Sequence, residues 1–133
     1  MPNDGNLYQR PSIKFGPSGR AYIVYEARNQ STGRNDIYLR SYDGNTLSAI
    51  TNVTEGNPFS RSPYYPDLAV TKNEEIHVVW VEYQRGQSSV AQYVKHRHFN
   101  GKTWGAIEPL ATIAPSDWCE DLRVAADSSN NVF

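Results

Sequence analysis

The sequence predicts an all-β chain made of β-propeller blades, each of four antiparallel strands, with about two and a quarter blades in 133 residues. Three observations carry this expectation. The chain repeats itself: Arg10-Pro11-Ser12-Ile13 returns as Tyr65-Pro66-Asp67-Leu68 at an offset of 55, and again as Cys119-Glu120-Asp121-Leu122 a further 54 residues on. Ala21 to Tyr25 returns as Ile76 to Trp80 at 55, and Ser41 to Ile50 as His98 to Ile107 at 57. Three blocks in one order at nearly one spacing are the mark of an array. The turn chemistry also recurs, because Asp43-Gly44 and Asn100-Gly101 hold the same place in the repeat, and both pairs favour turns that require positive φ. Finally, nine Tyr, three Trp and eight Pro in a chain that is 12% aromatic favour strands over helices. A β-sandwich could use the same strands, but its Greek-key order does not require a hairpin duplicated at a fixed period.

Taken in order, residues 1–10 read as an N-terminal arm, 11–64 as a first blade, 65–118 as a second and 119–133 as the start of a third. The first blade has strands at 11–15, 20–28, 35–42 and 47–53, and the second at 66–71, 75–83, 90–99 and 104–111. In the second strand of the second blade, Ile76, Val78 and Trp80 alternate with His77, Val79 and Val81, so both faces are apolar. A half-solvated sheet alternates cleanly, whereas a sheet packed between neighbours buries both faces. The Asp-Gly and Asn-Gly turns join the third strand to the fourth in each blade. Val132-Phe133 falls inside the second strand of the third blade. The apolar faces of a partial ring must be covered, either by other copies in a homo-oligomer or by the remainder of a longer chain.

The blocks Ser41 to Leu47 and His98 to Trp104 resemble the Asp-box (BNR) repeat of sialidase-like propellers, Ser/Thr-x-Asp-x-Gly-x-Thr-Trp, with Leu47 in the Trp position of the first copy and His98 and Asn100 replacing Ser and Asp in the second. The resemblance covers roughly residues 10 to 133. It implies a hairpin whose Asp binds the turn backbone while the aromatic packs beneath, and an extracellular or cell-surface setting. In catalytic members an Arg-Ile-Pro motif supplies one of three arginines that grip a sialic-acid carboxylate. Arg10-Pro11 stands near that pattern without the Ile. The resemblance implies the fold, and it does not by itself imply hydrolysis.

Charge and motifs exclude several classes of function. Thirteen Lys+Arg against fourteen Asp+Glu give a net charge of -1, which lacks the basic footprint of a nucleic-acid binder or a membrane anchor. No apolar run is long enough to span a bilayer, and mean hydropathy is -0.65. Met1 to Gly5 carry neither the basic nor the apolar region of a signal peptide. The lone Cys119 reads as a packed thiol. No phosphate loop, nucleophile elbow or HExxH pattern is present, and no cofactor is expected. His96 and His98 share a strand face, but without a sequence-adjacent third ligand no metal is expected.

Loops on a rigid scaffold carry function, and in an up-and-down blade the links from strand two to three and from strand four to the next blade share one end. That end comprises residues 8–12, 28–35, 63–67, 83–90 and 116–121. The expected ligand residues there are Arg10, Arg28, Tyr65, Asp67, Glu82, Tyr83, Trp118 and Asp121, with Tyr64 and Glu120 beside them. Aromatic faces for sugar C–H groups, beside carboxylates and Arg for hydroxyls, are carbohydrate-binding chemistry. Asp67 with Glu82 is the one carboxylate pair to consider for glycoside hydrolysis. Packing between blades and capping of strand backbones are the structural alternatives for the aromatics and for the two Asp residues. The leading expectation is a noncatalytic carbohydrate-binding module. A sialidase-type hydrolase fragment and a protein-interaction scaffold are the alternatives.

Overall fold

Two four-stranded antiparallel meanders make up the chain, with no helix among the described residues of this computed structural model. Those residues are 8–57, 61–83 and 90–133; most of the N-terminal arm (1–7) and of the loop expected at 83–90 lies outside them. The first sheet runs β1 (Gln9–Phe15), β2 (Ala21–Arg28), β3 (Asn35–Tyr42) and β4 (Thr51–Asn52). The second runs β5 (Ser62–Val70), β6 (Ile76–Tyr83), β7 (Gln92–Phe99) and β8 (Glu108–Ile113).

Strand pairing reproduces the sequence repeat residue by residue. Ser12 faces Val24 as Asp67 faces Val79, at the predicted offset of 55, and Tyr22 faces Ser41 as His77 faces His98, at 57 on the third strand. Each first strand has an irregularity at the same place, between Gln9 and Ser12 and between Tyr64 and Asp67. There Arg10 (φ 49) and Tyr65 (φ 55) take left-handed conformations directly before Pro11 and Pro66. Proline cannot donate to a ladder, so it sits on an edge strand at a bulge. The bulge lets pairing resume beyond the prolines, which is why β1 and β5 begin earlier than the expected 11 and 66.

The turn from the third strand to the fourth also recurs. Asp43 Oδ1 accepts the amides of Asn45 (3.0 Å) and Thr46 (2.7 Å), and Asn100 Oδ1 those of Lys102 (3.0 Å) and Thr103 (2.9 Å). Gly44 and Gly101 follow with φ of 96 and 88, a conformation that glycine takes without strain. Leu47 and Trp104 then make single bridges to Tyr42 and Phe99. The fourth strands were expected at 47–53 and 104–111, but continuous pairing begins only at Thr51 and Glu108. An arginine occupies the gap each time: Arg40 donates to Ser48 O (2.6 and 2.9 Å) and Arg97 to Gly105 O (2.8 Å). Arg97 also reaches Val53 O of the first sheet at 2.7 Å and so ties the two sheets together.

The main core lies between the sheets. Tyr22, Val24, Ile37, Leu39 and Val53 of the first pack on Leu68, Ile76, Val78 and Trp80 of the second. Leu68 is fully buried, worth about 2 kcal/mol on its own. Ile13, its equivalent in β1, is 52% exposed, and Phe15, the equivalent of Val70, is 70% exposed, because no preceding sheet covers them.

A third unit follows the same plan in residues 119–133. Ala126 bridges Val132, and Asp127 to Asn130 repeat the turn made by Gly16 to Gly19 and by Thr71 to Glu74. Its register departs from expectation. The turn and bridge place this unit 56 residues after the second, so the position equivalent to Asp67 is Arg123, and Asp121 stands two residues before it. The Asp-Leu pair at 121–122 resembles 67–68 in sequence, but the hairpin fixes the register. Val124, in the place of Leu68, packs on Ala69 and Val79.

Candidate functional site

The first strands of the three units lie side by side, and an open groove of about 420 Å³ runs along them. Arg10, Lys14 and Arg123 bring positive charge to its wall, Glu120 and Asp121 negative charge, and Tyr65 an aromatic face. The bulges explain this grouping, since they swing Arg10 and Tyr65 out of the ladder at equivalent positions of neighbouring strands.

Arg10 is held on two sides. Its Nη1 pairs with Glu26 Oε1 at 2.6 Å, and its guanidinium lies 4.2 Å from the centre of the Tyr65 ring. Burial acts to lower its pKa, but the charge and hydrogen bond of Glu26 outweigh this and leave it raised, so the cation is permanent. Glu26 is 1% exposed, and its second oxygen accepts the Tyr65 amide at 3.1 Å. One buried carboxylate thus positions both groove residues. With Glu26 already opposing its charge, Arg10 is poorly suited to gripping a ligand carboxylate as the catalytic resemblance implies, and it still offers donors to neutral hydroxyls.

Beside the groove lies an aromatic cluster. Tyr83 stacks on Tyr64 with centroids 4.4 Å apart and on Tyr65 at 6.5 Å, and Trp118 meets the Tyr83 ring edge-on at 5.1 Å. Burial, with the Tyr65 hydroxyl next in effect, pushes the Tyr83 phenol well up, so it stays neutral. Trp118 is 52% exposed, whereas Tyr64 is buried. Cys119 and Leu122 pack against the same cluster, and Cys119 takes the expected place of a packed thiol, its amide donating to buried Gln92 Oε1 at 3.0 Å.

The two carboxylates considered for hydrolysis have other work. Asp67 is 2% exposed; its Oδ1 accepts the Ser12 hydroxyl at 2.5 Å and its Oδ2 the Val124 amide at 2.9 Å, so it joins the first strands of all three units. Glu82 Oε1 accepts Asn57 Nδ2 at 2.6 Å and Trp80 Nε1 at 2.8 Å. Asp67 pairs opposite Val79, and Glu82 lies three residues along β6, on the other face of the sheet. They cannot flank one glycosidic bond. Arg28, at the exposed end of β2, lines neither the groove nor the aromatic cluster.

A second hollow, of about 340 Å³, surrounds Asp36 at the β2–β3 end. Buried Asp36 takes Arg34 at 2.9 Å, Asn29 at 2.7 Å, Thr54 at 3.1 Å and Asn52 at 3.2 Å, which is a saturated structural hub.

Of the eight expected ligand residues, the groove brings together Arg10, Tyr65, Asp67 and Asp121, and the adjoining cluster adds Tyr83 and Trp118. Sequence reasoning missed Glu26, although a lone carboxylate inside the apolar run Tyr22 to Ala27 was a signal for it. It also missed that Glu75, His77 and His98 place ligand atoms within 4.8 Å of one another. No known protein family matches the chain, and no curated protein matches it.

Proposed function

We propose that the chain is part of a noncatalytic β-propeller module of the sialidase-like Asp-box kind, and that it binds carbohydrate along the groove formed by its first strands. The observation that carries this is the groove itself, about 420 Å³ with both signs of charge on its wall, beside the half-exposed indole of Trp118. A sugar ring laid on Trp118 buries its C–H face, while Arg10, Glu120 and Asp121 supply donors and acceptors for hydroxyls. The binding reading is favoured over hydrolysis because Asp67 and Glu82 are committed to structural hydrogen bonds on opposite sides of a sheet. Propeller closure is supported by the exposure of Ile13 and Phe15 where Leu68 is buried by the preceding unit. A further unit of the same kind, from a second copy or from a longer chain, covers them. A glycan array probed with the wild-type chain and with Trp118→Ala tests the binding. Saturable glycan signals lost in the variant are expected, and an array blank for both overturns the proposal.

A further inference from the structure

The chain contains three histidines, and all three meet on one face of the second sheet. His77 pairs across the β6–β7 ladder with His98, and their rings stack with centroids 4.3 Å apart, while the centroid of the His96 ring lies 5.2 Å from that of His77. His96 Nδ1 stands 3.4 Å from Glu108 Oε2, and His96 Nε2 stands 3.0 Å from His77 Nδ1. The Glu108 carboxylate accepts from His96 Nδ1, and a neutral His96 then accepts at Nε2, which places the proton of His77 on Nδ1. The free lone pair of His77 is then on Nε2.

His98 provides the second lone pair. Its Nε2 is shielded from solvent without a hydrogen-bond partner among the described residues, and Glu75 Oε2 stands 3.8 Å from it. Packing alone does not account for this set. The equivalent positions of the first unit are Tyr22, Leu39 and Ser41, and Tyr22 satisfies its hydroxyl on Glu74. The second unit replaces these with three imidazoles and leaves one buried nitrogen unsatisfied.

We infer that Glu75, His77 and His98 form a binding site for a divalent transition-metal ion of the Zn²⁺ class, with His96 and Glu108 orienting His77 from the outer shell. Two imidazoles and one carboxylate suit Zn²⁺, Ni²⁺ or Cu²⁺ and are poor ligands for Mg²⁺ or Ca²⁺. Bonds of 2.0–2.1 Å place tetrahedral ligand atoms about 3.3 Å apart, and the three donors stand within 4.8 Å of one another. Loading therefore needs only a contraction and a tilt of the two stacked rings, with a fourth position left for water.

The test is calorimetric titration of the chelator-treated chain with Zn²⁺, with the ring nitrogens followed by NMR on the same sample. One ion per chain at micromolar affinity or better is expected, with shifts at His77 Nε2 and His98 Nε2. His98→Ala and Glu75→Gln each weaken binding by about tenfold or more, and His96→Gln by roughly tenfold, as outer-shell partners do. Lys102→Ala, in an exposed turn, leaves it unchanged. The NMR readout on the wild-type chain needs no variant to fold. Absence of heat and ring-nitrogen shifts at millimolar Zn²⁺, or binding that His98→Ala and Glu75→Gln leave intact, overturns the site.

Discussion

Replacing Asp67 with Ala removes an acceptor that joins three consecutive units. Its carboxylate takes the Ser12 hydroxyl from the first unit and the Val124 amide from the third. Val124 is 6% exposed, so its N–H finds no water once the carboxylate is gone, at a cost of about 1–3 kcal/mol. Ser12 is only half-buried and rehydrates, so its lost bond costs about 1 kcal/mol. The sum, about 2–4 kcal/mol, lowers the Tm of a chain of this size by roughly 6–15 °C. Asp67→Asn keeps an acceptor for Val124 and turns its amide NH₂ toward the Ser12 oxygen, so it loses less than half as much. Urea unfolding followed by fluorescence measures both variants, and hydrogen exchange at Val124 locates the damage. An Asp67→Ala protein within about 0.5 kcal/mol of wild type, with the Val124 amide still protected, refutes the assignment of Asp67 as a structural relay.

Two further outcomes are expected. Hydrogen bonds hold three turn carboxylates below their ordinary range. Asp43 is lowered by the Thr46 and Asn45 amides and Asp127 by Asn131, and at Glu74 the bonds from Ser18 and Tyr22 outweigh the opposing effect of burial. Groups with depressed folded pKa values stabilise above their unfolded values, 3.8 for Asp and 4.5 for Glu, and this contribution shrinks as pH falls below those values and is lost as it passes through the lower folded ones. The urea midpoint therefore drops on acidification below about pH 5, and Glu74→Gln, which removes the titrating carboxylate while its amide can still accept from Ser18, shows a shallower drop. Where a second copy supplies the covering unit, light scattering of the 133-residue chain gives a mass above the 15.0 kDa monomer, and Phe15→Asp returns it to monomer because a charge on that face blocks the next unit; a wild-type monomer at micromolar concentration overturns closure between copies.

Much of the fold was legible because its determinants are local. The Asx-Gly turns at 43–44 and 100–101 carry their own geometry, and the offsets of 55 and 57 survive in the strand register without correction. The fourth strands were placed too early because guanidinium groups of Arg40 and Arg97 hold the chain after each turn, and a propensity pattern does not show where an arginine will reach. The third unit was misaligned by two residues because a short motif, Glu-Asp-Leu, outweighed the turn that sets the register. At the site, Tyr65, Trp118 and Arg10 were visible as residue types at loop ends. The common support of Arg10 and Tyr65, Glu26, depends on two bulges that bring strands 39 residues apart together. The histidine cluster was hidden for the same reason, since His77 is 19 residues from His96 and only the β6–β7 pairing makes them neighbours.

The most direct test of the central claim is an NMR titration of the isotope-labelled chain with the glycan that gives the strongest array signal. The account predicts saturable shifts centred on Arg10, Tyr65, Asp121 and the Trp118 indole, with the hub at Asp36 unmoved. Shifts centred on the Asp36 hollow or on the Asp43 and Asn100 turns, with the groove silent, contradict it.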